Sequence, residues 1–552
     1  MGTQSRGVKR LDIFVLAIGL ALFFALTCYQ LDLPGPHYDE AIEVLPAMQI
    51  LLGQPVETFR GAGLHVGETL LPIMVMDYIG AMNTYLVIPF FAALGVNVIA
   101  MRLMPVLFAA FTLLLTYFVA RELFGRRGAI IAYLTLAGSI SFVFWSRQGI
   151  FVTNLTSTIM MGLLFCGLRW WRTGRRRYFY VGAFLAGLGL YTKFIFLWAI
   201  LAIFGAFVLL NLDRLIRWVS TRQRTMWPAS IKIGRAELIG GPAAFVLALT
   251  PLILFNFQTR GTVGTLSRNF FTSYYGVNNL AIFDNLGQRL KQFNSVLQGD
   301  HFWYLGETFA NRLWMPALVG ALLLVCLIAI WRRRSEGNAW RKAIFPYLVI
   351  MLIILQSCIT ISALWFTHFA ILTPLPPLAL AGGLTFIAGK VEKPRFVWPP
   401  IFILLVALVA YDLIADVGYH QILTRSGGYA AHSDASYELA HAVLEEAKGP
   451  TAALDWGIQA QVQLLTQGKV APRELFGFDS LAEPDPEFGE RLRPYLNDPH
   501  SLYILHAQGE EVYRGRSVAF NEAVAAAGKH SRILRVIYQR SGQAEYVLVK
   551  VD

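Results

Sequence analysis

Long uncharged apolar runs recur through the first three quarters of this 552-residue chain, and they limit its fold more than any motif does. A membrane-spanning helix needs roughly 20 such residues. Runs of that kind lie at about 11–31, 98–120, 128–146, 151–171, 178–192, 194–211, 237–257, 313–331, 343–363, 367–388 and 398–416. They predict an α-helical polytopic membrane protein with about eleven crossings. One stretch, on either side of Tyr191-Thr192-Lys193, is long for one crossing and short for two. Only 15% of the residues are charged, against about a quarter in soluble domains. That excludes a soluble enzyme, a disordered regulator and a disulfide-stapled secreted module. The first run is long and has no small-residue cleavage pattern after it, so it reads as a span and not a cleaved signal.

The net charge of +12 raises the question of nucleic acid, and its distribution answers it. From Val417 onward there are 13 Lys/Arg against 17 Asp/Glu, and before it 34 against 18. The excess sits in short loops between apolar runs, the positive-inside pattern of membrane proteins. A cytoplasmic amino terminus puts 25 of those 34 basic residues on one side, among them Arg121, Arg126, Arg127 and the Arg169 to Arg177 group. The expectation is a multi-pass protein of the plasma (bacterial inner) membrane, with no nucleic-acid partner and an extracytoplasmic carboxy-terminal region. Cys28, Cys166, Cys326 and Cys358 all fall in apolar stretches and read as packing residues.

Two domains are expected: a transmembrane domain over 1–416 and a soluble α/β domain over 417–552. Two outer loops are long, at about 32–97 and 258–312. The first holds a 13-residue apolar piece, Thr84 to Val96, suited to an interfacial or re-entrant helix. The last domain mixes a helical pattern at Ala435 to Ala447 with short strands at Thr451 to Leu454, Leu502 to Leu505 and Tyr546 to Val551. It carries no legible nucleophile and base pair, and reads as accessory.

The first outer loop opens with Pro36-His37-Tyr38-Asp39-Glu40-Ala41-Ile42-Glu43. Asp39 follows the first run closely enough to lie at headgroup depth. After it, Ala41, Val44, Leu45, Met48 and Leu52 keep a helical period, as an interfacial amphipathic helix does. On spacing alone Asp39 is either the N-cap of that helix or a catalytic acid.

Several stretches carry a family resemblance. They are Asp39-Glu40, Tyr78-Ile79-Gly80 to Tyr85-Leu86, Arg102-Leu103-Met104-Pro105, Arg121 to Arg127, Ser146-Arg147, and Gly187 to Lys193. In order and spacing the chain resembles the membrane-embedded C-type (GT-C) glycosyltransferases that use polyprenyl-phosphate sugars. Within them it is most similar to the dolichyl-phosphate-mannose protein mannosyltransferase-like group, family 39, which includes the aminoarabinose lipid A transferases. The resemblance implies inverting transfer of a sugar from a polyprenyl-phosphate-linked donor to a lipid, glycan or protein hydroxyl. It makes Asp39, with Glu40 beside it, the general base.

A departing polyprenyl phosphate needs cations at headgroup depth. Arg102, Arg147 and Lys193 are placed there by the expected topology, with Arg268 and Arg260 as further contributors from the second loop. Many relatives carry a second acid shortly after the Ser-Arg pair, whereas Gln148 to Asn154 holds none and Asn154 is the nearest polar substitute. His37, Glu43, His65, Glu68 and Asn154 remain as substrate contacts or as ligands of a divalent metal ion, the one cofactor left open, with Asp77 a further oxygen ligand. The aromatics Phe270, Phe271, Tyr274, Tyr275, Phe302, Trp303 and Tyr304 suit sugar stacking, an isoprenoid path or interfacial anchoring alike. The competing class is a transporter or flippase. Its usual marks, paired repeats and charged or broken helices near the midplane, are not legible here.

Overall fold

The computed structural model describes residues 10–221, 233–331, 339–391, 394–478 and 480–552. Helix α1 spans Arg10–Cys28. The first long loop then folds into α2 (Tyr38–Leu52), two small hairpins and α3 (Met82–Leu94). In the hairpins β1 (Gly63–Val66) pairs with β2 (Thr69–Pro72), and β3 (Met74–Met76) with β4 (Ile79–Gly80). At 13 residues α3 is too short to cross a bilayer. The bundle continues with α4 (Val98–Ala137), α5 (Ile140–Arg147), the short α6 (Gly149–Val152), α7 (Leu155–Thr173), α8 (Arg176–Thr192) and α9 (Phe196–Leu210). Later helices include Arg235–Thr259, Trp314–Trp331, Ala339–Gln356, Leu375–Ala388 and Pro394–Ser426.

The chain is a mostly helical, multi-pass membrane protein, but its apolar runs are not eleven uniform spans. Among the described residues six helices are long and apolar enough to cross alone, or seven if Phe366–Leu372 and Leu375–Ala388, bent by 44°, form one span. Glycine and charge account for several of the others. Gly125 (φ 79°) breaks the 40-residue α4 between Arg121 and Arg126, and the run continuing to residue 146 breaks again at Gly138, before α5. α7 ends in Arg169 and Arg172, and α8 and α9 have 17 and 15 residues. At the start of α1, buried Asp12 accepts from Arg126 Nε at 2.5 Å, with Arg121 at 3.8 Å. Of the basic residues used to assign a side, Arg6, Lys9, Arg222, Arg224, Lys232, Arg332, Arg333, Arg334 and Lys393 lie outside the described residues.

The carboxy-terminal region forms one five-stranded sheet, ordered β6-β5-β7-β9-β8. Its strands are β5 (Thr451–Ala453), β6 (Arg473–Glu474), β7 (Leu502–His506), β8 (Ser531–Tyr538) and β9 (Ala544–Val551). β5 runs parallel to β6 and β7, and β9 antiparallel to β7 and β8. Strand side chains alternate between faces, so Leu502, Ile504, Tyr546 and Leu548 meet the helix Ala435–Glu446. Tyr503, Leu505, Val549 and Val551 meet Phe488, Leu492, Phe520 and Val524 on the other face. This region packs on the first loop. Tyr437 Oη donates to the Asp32 carbonyl at 2.7 Å and Gln461 Nε2 to that of Pro36 at 2.6 Å.

Arg147 fixes how α1 leaves the bundle. Fully buried at the end of α5, it donates from Nη1 to the carbonyls of Leu26, Thr27 and Tyr29, and from Nη2 to those of Gln30 and Leu33, at 2.5–3.3 Å. A helix ends with unsatisfied carbonyls and a partial negative charge, and this guanidinium answers both. Arg147→Met should therefore destabilise the protein by about 3 kcal/mol, the range for buried charge-assisted hydrogen bonds, with Arg147→Lys recovering part of it. Thermal unfolding in detergent measures both variants.

Candidate active site

The site is built around the first turn of α2. His37, and not Asp39, is the N-cap: His37 Nδ1 accepts from the Asp39 backbone N–H at 3.1 Å. The Asp39 carboxylate is left free of capping. Successive helical residues point about 100° apart while i and i+4 share a face, so the three acids of this turn separate. Asp39 and Glu43 face one way and Glu40 another.

Glu40 is fully buried against Arg102, which meets it through Nε (2.9 Å) and Nη2 (3.2 Å). The remaining Arg102 donors go to the carbonyls of Leu31, Pro34 and Gly35. Gln148 Nε2 donates to the other side of Glu40 at 2.8 Å. Every guanidinium proton of Arg102 is used, so neither it nor Glu40 is available to a substrate. Glu40 and Arg102, read from the sequence as a catalytic carboxylate and a phosphate ligand, are here paired with each other inside the protein. Arg147, read from the sequence in the same role as Arg102, spends both terminal nitrogens on the end of α1, while its buried Nε has no hydrogen-bond partner among the described residues.

Lys193 is different. α8 unwinds after Thr192, and Lys193 adopts extended geometry (φ −156°, ψ 127°) and pairs with Ile79 of β4. The Phe194 N–H donates to the Tyr78 carbonyl at 2.9 Å. Gly80 permits the approach, since a Cβ there would lie 2.5 Å from the Tyr191 ring and carbonyl. The first loop thus seats on the α8–α9 break and brings Lys193 to Asp39 and Glu43.

Burial pushes the Asp39 carboxyl up to about 6, with the Lys193 charge opposing it. Burial pushes Glu43 up to about 8, opposed by the amide of Asn83, which donates to Oε2 at 2.6 Å, and by Lys193, while Asp39 adds to the rise. Burial draws Lys193 down, and the two acids hold it up. At neutral pH this leaves Asp39 ionised and Glu43 protonated. Environment has separated two carboxyls on one helix face into different roles. Among the described residues no ion pair joins Lys193 to either acid, so the charges feel one another across a gap.

The other candidates lie elsewhere. Exposed His65 and Glu68 belong to the β1–β2 hairpin and its turn. Asn154 Nδ2 points to the Pro105 carbonyl, in a small pocket among Ala109, Phe142, Trp145 and Ser157. Exposed Arg268 stands over Asp77, which pairs with Arg60 at 2.7 Å and accepts from Thr265 at 2.6 Å. Exposed Arg260 marks the joint between two helices. The ring of His37 packs against Phe151, His432 and Trp456. A divalent metal does not fit these residues. His37 spends Nδ1 on a backbone N–H, an ammonium stands beside the acids, and among the described residues no three His, Cys, Asp or Glu side chains could hold an ion.

Gln148 and His432 of the surrounding network escaped the sequence reading, which had Tyr304 only among the loop aromatics. Gln148 binds Glu40 and accepts from Tyr304 Oη at 3.0 Å, and its amide meets His432 Nδ1 at 3.0 Å. His432 stacks on Tyr304 with centroids 3.8 Å apart. Gln148 adjoins the Ser146-Arg147 pair, which was its only signal. Tyr304 and His432 join from 156 and 284 positions away.

Comparison with known proteins bears on the fold. Residues 81–226, about a quarter of the chain, match the family model of dolichyl-phosphate-mannose-protein mannosyltransferase. That segment holds Lys193, while Asp39 lies before it. In structure the chain is similar to ArnT from Cupriavidus metallidurans bound to undecaprenyl phosphate, at 10% identity, 98% coverage of both chains and a TM-score of 0.58. It is also similar to the Archaeoglobus fulgidus oligosaccharyltransferase tethered with an acceptor peptide, at 12% identity, 98% coverage of this chain, 74% of that one, and a TM-score of 0.52. No curated relative matches in sequence. The fold is that of the membrane-embedded C-type glycosyltransferases, as the sequence motifs led us to expect.

The separation of the acids gives a direct test. Glu40→Gln leaves Arg102 buried without its counter-charge, and should lower stability by about 3–5 kcal/mol. Asp39→Asn should leave the unfolding temperature within a degree or two, so that a loss of turnover in it is not a loss of fold. The two variants, compared by thermal unfolding and by activity of the folded fraction, should separate cleanly.

Proposed function

We propose that this chain is an inverting glycosyltransferase that moves a sugar from a polyprenyl-phosphate-linked donor to an acceptor hydroxyl, working at the outer face of a bacterial plasma membrane. The observation that carries the reading is the facing of Asp39 by Lys193 across a gap, at the point where the first loop seats on the bundle. The family match and the fold support the glycosyltransferase class. The polyprenyl-phosphate donor is inferred from the lipid named in the ArnT structure. The basic residues gathered in the loops remote from Asp39 support the outer-face assignment.

The chemistry follows from the two charges. An acceptor hydroxyl placed against Asp39 gives its proton to the carboxylate as its oxygen bonds to the anomeric carbon. The bond from that carbon to the phosphate oxygen breaks on the opposite side, its electron pair leaving with the phosphate. Lys193 answers the charge that grows there. A base that is ionised at neutral pH, yet has a pKa close to it, suits proton removal in the transition state. Glu43, holding its proton, adds no second negative charge to repel the phosphate.

Purified protein in nanodiscs, assayed with a polyprenyl-phosphate sugar, tests the proposal. Asp39→Asn should reduce kcat by about 10²–10⁴, and wild-type turnover of the order of the variant's would remove Asp39 as base. Activity should rise with pH and level off above about 6, because the base must be deprotonated. Lys193 holds the Asp39 pKa down, so Lys193→Met should move the acid limb of the residual activity to higher pH. A limb that stays in place, or moves the other way, contradicts the pairing.

A further inference from the structure

Around Asp39 the structure gathers tyrosines from separate parts of the chain. Tyr78 comes from the first loop, where its carbonyl accepts from Phe194 next to Lys193. Tyr274 and Tyr275 come from the second long loop and are 54% and 45% exposed. The Tyr274 N–H donates to the Ile361 carbonyl at 3.1 Å, and its hydroxyl donates to the carbonyl of Phe478 in the carboxy-terminal region. That bridge fixes Tyr275 beside it, with ring centroids 4.9 Å apart. Tyr275 in turn meets Trp365, itself half exposed, edge to face at 5.9 Å and 74°. The result is an open aromatic corner.

The hydroxyls decide what such a corner is for. Those of Tyr78 and Tyr275 have no hydrogen-bond partner among the described residues. Both phenols feel the charge of Asp39, which adds to the effect of burial in raising them. An isoprenoid chain would want an apolar lining without free donors. A peptide backbone would want an exposed strand edge beside Asp39, and the nearest strand, β4, is already paired with β3 and Lys193. Flat ring faces set beside unsatisfied hydroxyls suit a saccharide, which offers C–H faces and hydroxyl groups together.

We infer that Tyr78, Tyr275 and Trp365 form the acceptor subsite, and that the acceptor is a saccharide hydroxyl of a glycan or glycolipid headgroup. The sugar ring packs into the Tyr275–Trp365 corner, and its reacting O–H turns toward Asp39. The inference rests on Asp39 being the base of the transferase proposed above.

The full chain in nanodiscs is given a polyprenyl-phosphate sugar donor with two sets of acceptors. One is chitobiose, mannobiose and cellobiose; the other is pentapeptides containing Ser or Thr. At least one disaccharide should accept sugar while the peptides do not. Tyr275→Ala and Trp365→Ala should each raise acceptor KM about ten-fold, with donor KM moved less than two-fold. Tyr78→Phe and Tyr275→Phe should raise acceptor KM a few-fold through loss of the hydroxyl alone. A tryptophan-fluorescence titration with the same disaccharides, lost in Trp365→Ala, reads binding without turnover. Peptide acceptance without saccharide acceptance, an acceptor KM unmoved in the alanine variants, or no disaccharide binding by fluorescence overturns the subsite. Absence of any sugar release from the donor, with disaccharide binding intact, would instead overturn the transferase reading and leave a saccharide-binding site.

Discussion

Removing a guanidinium from water is costly unless each of its five N–H groups finds an acceptor. Arg102, with no exposed surface, finds five: two on Glu40 and one each on the carbonyls of Leu31, Pro34 and Gly35. Satisfying that one side chain wraps residues 31–40 around it and sets the position and phase of α2. Once Glu40 is turned inward, helical geometry turns Asp39 outward, onto the face it shares with Glu43. Arg147 acts in the same way one segment earlier, on the carbonyls of residues 26–33. Two buried arginines thus shape the path of the chain from the end of α1 to the candidate base.

Much of this was open to sequence reasoning, and the misses have identifiable causes. Apolar runs located the helices because bilayer thickness fixes their length, but glycines and terminal arginines cut several short of a full span. Asp39 and Lys193 were both singled out from the sequence, the one by its place after the first span and the other by its place in an apolar break, and the structure brings them together. Arg102 and Arg147 were read as phosphate ligands, and the structure has them holding backbone carbonyls and Glu40. A cation that binds phosphate and one that binds backbone carbonyls differ in what surrounds them, and an arginine at a helix end looks the same in both cases. Asp39 and Glu40 adjoin in the chain, and only the helix phase at His37 tells which of them Arg102 takes. Three strands of the last region, β5, β7 and β9, were legible in the sequence, whereas β6, β8 and the contacts of the region with α2 were not.

Those contacts alter what the carboxy-terminal region means. It carries no recognisable catalytic pair, yet it holds the start of α2 at several points. Glu474 of β6 accepts from Tyr38 Oη at 2.7 Å, Gln461 holds the Pro36 carbonyl, and His432 and Trp456 pack on the ring of His37. Trp456 also packs on Tyr38. Every residue from 36 to 38 is therefore tied to a segment some 400 positions away, immediately before the acid. Burial pushes Glu474 up to about 7, so near neutrality its bond to Tyr38 passes between a neutral acceptor and a stronger ionised one. The aim of Asp39 is a property of the whole assembly, because a helix start held from one side by buried arginines and from the other by a sheet cannot turn without disturbing both.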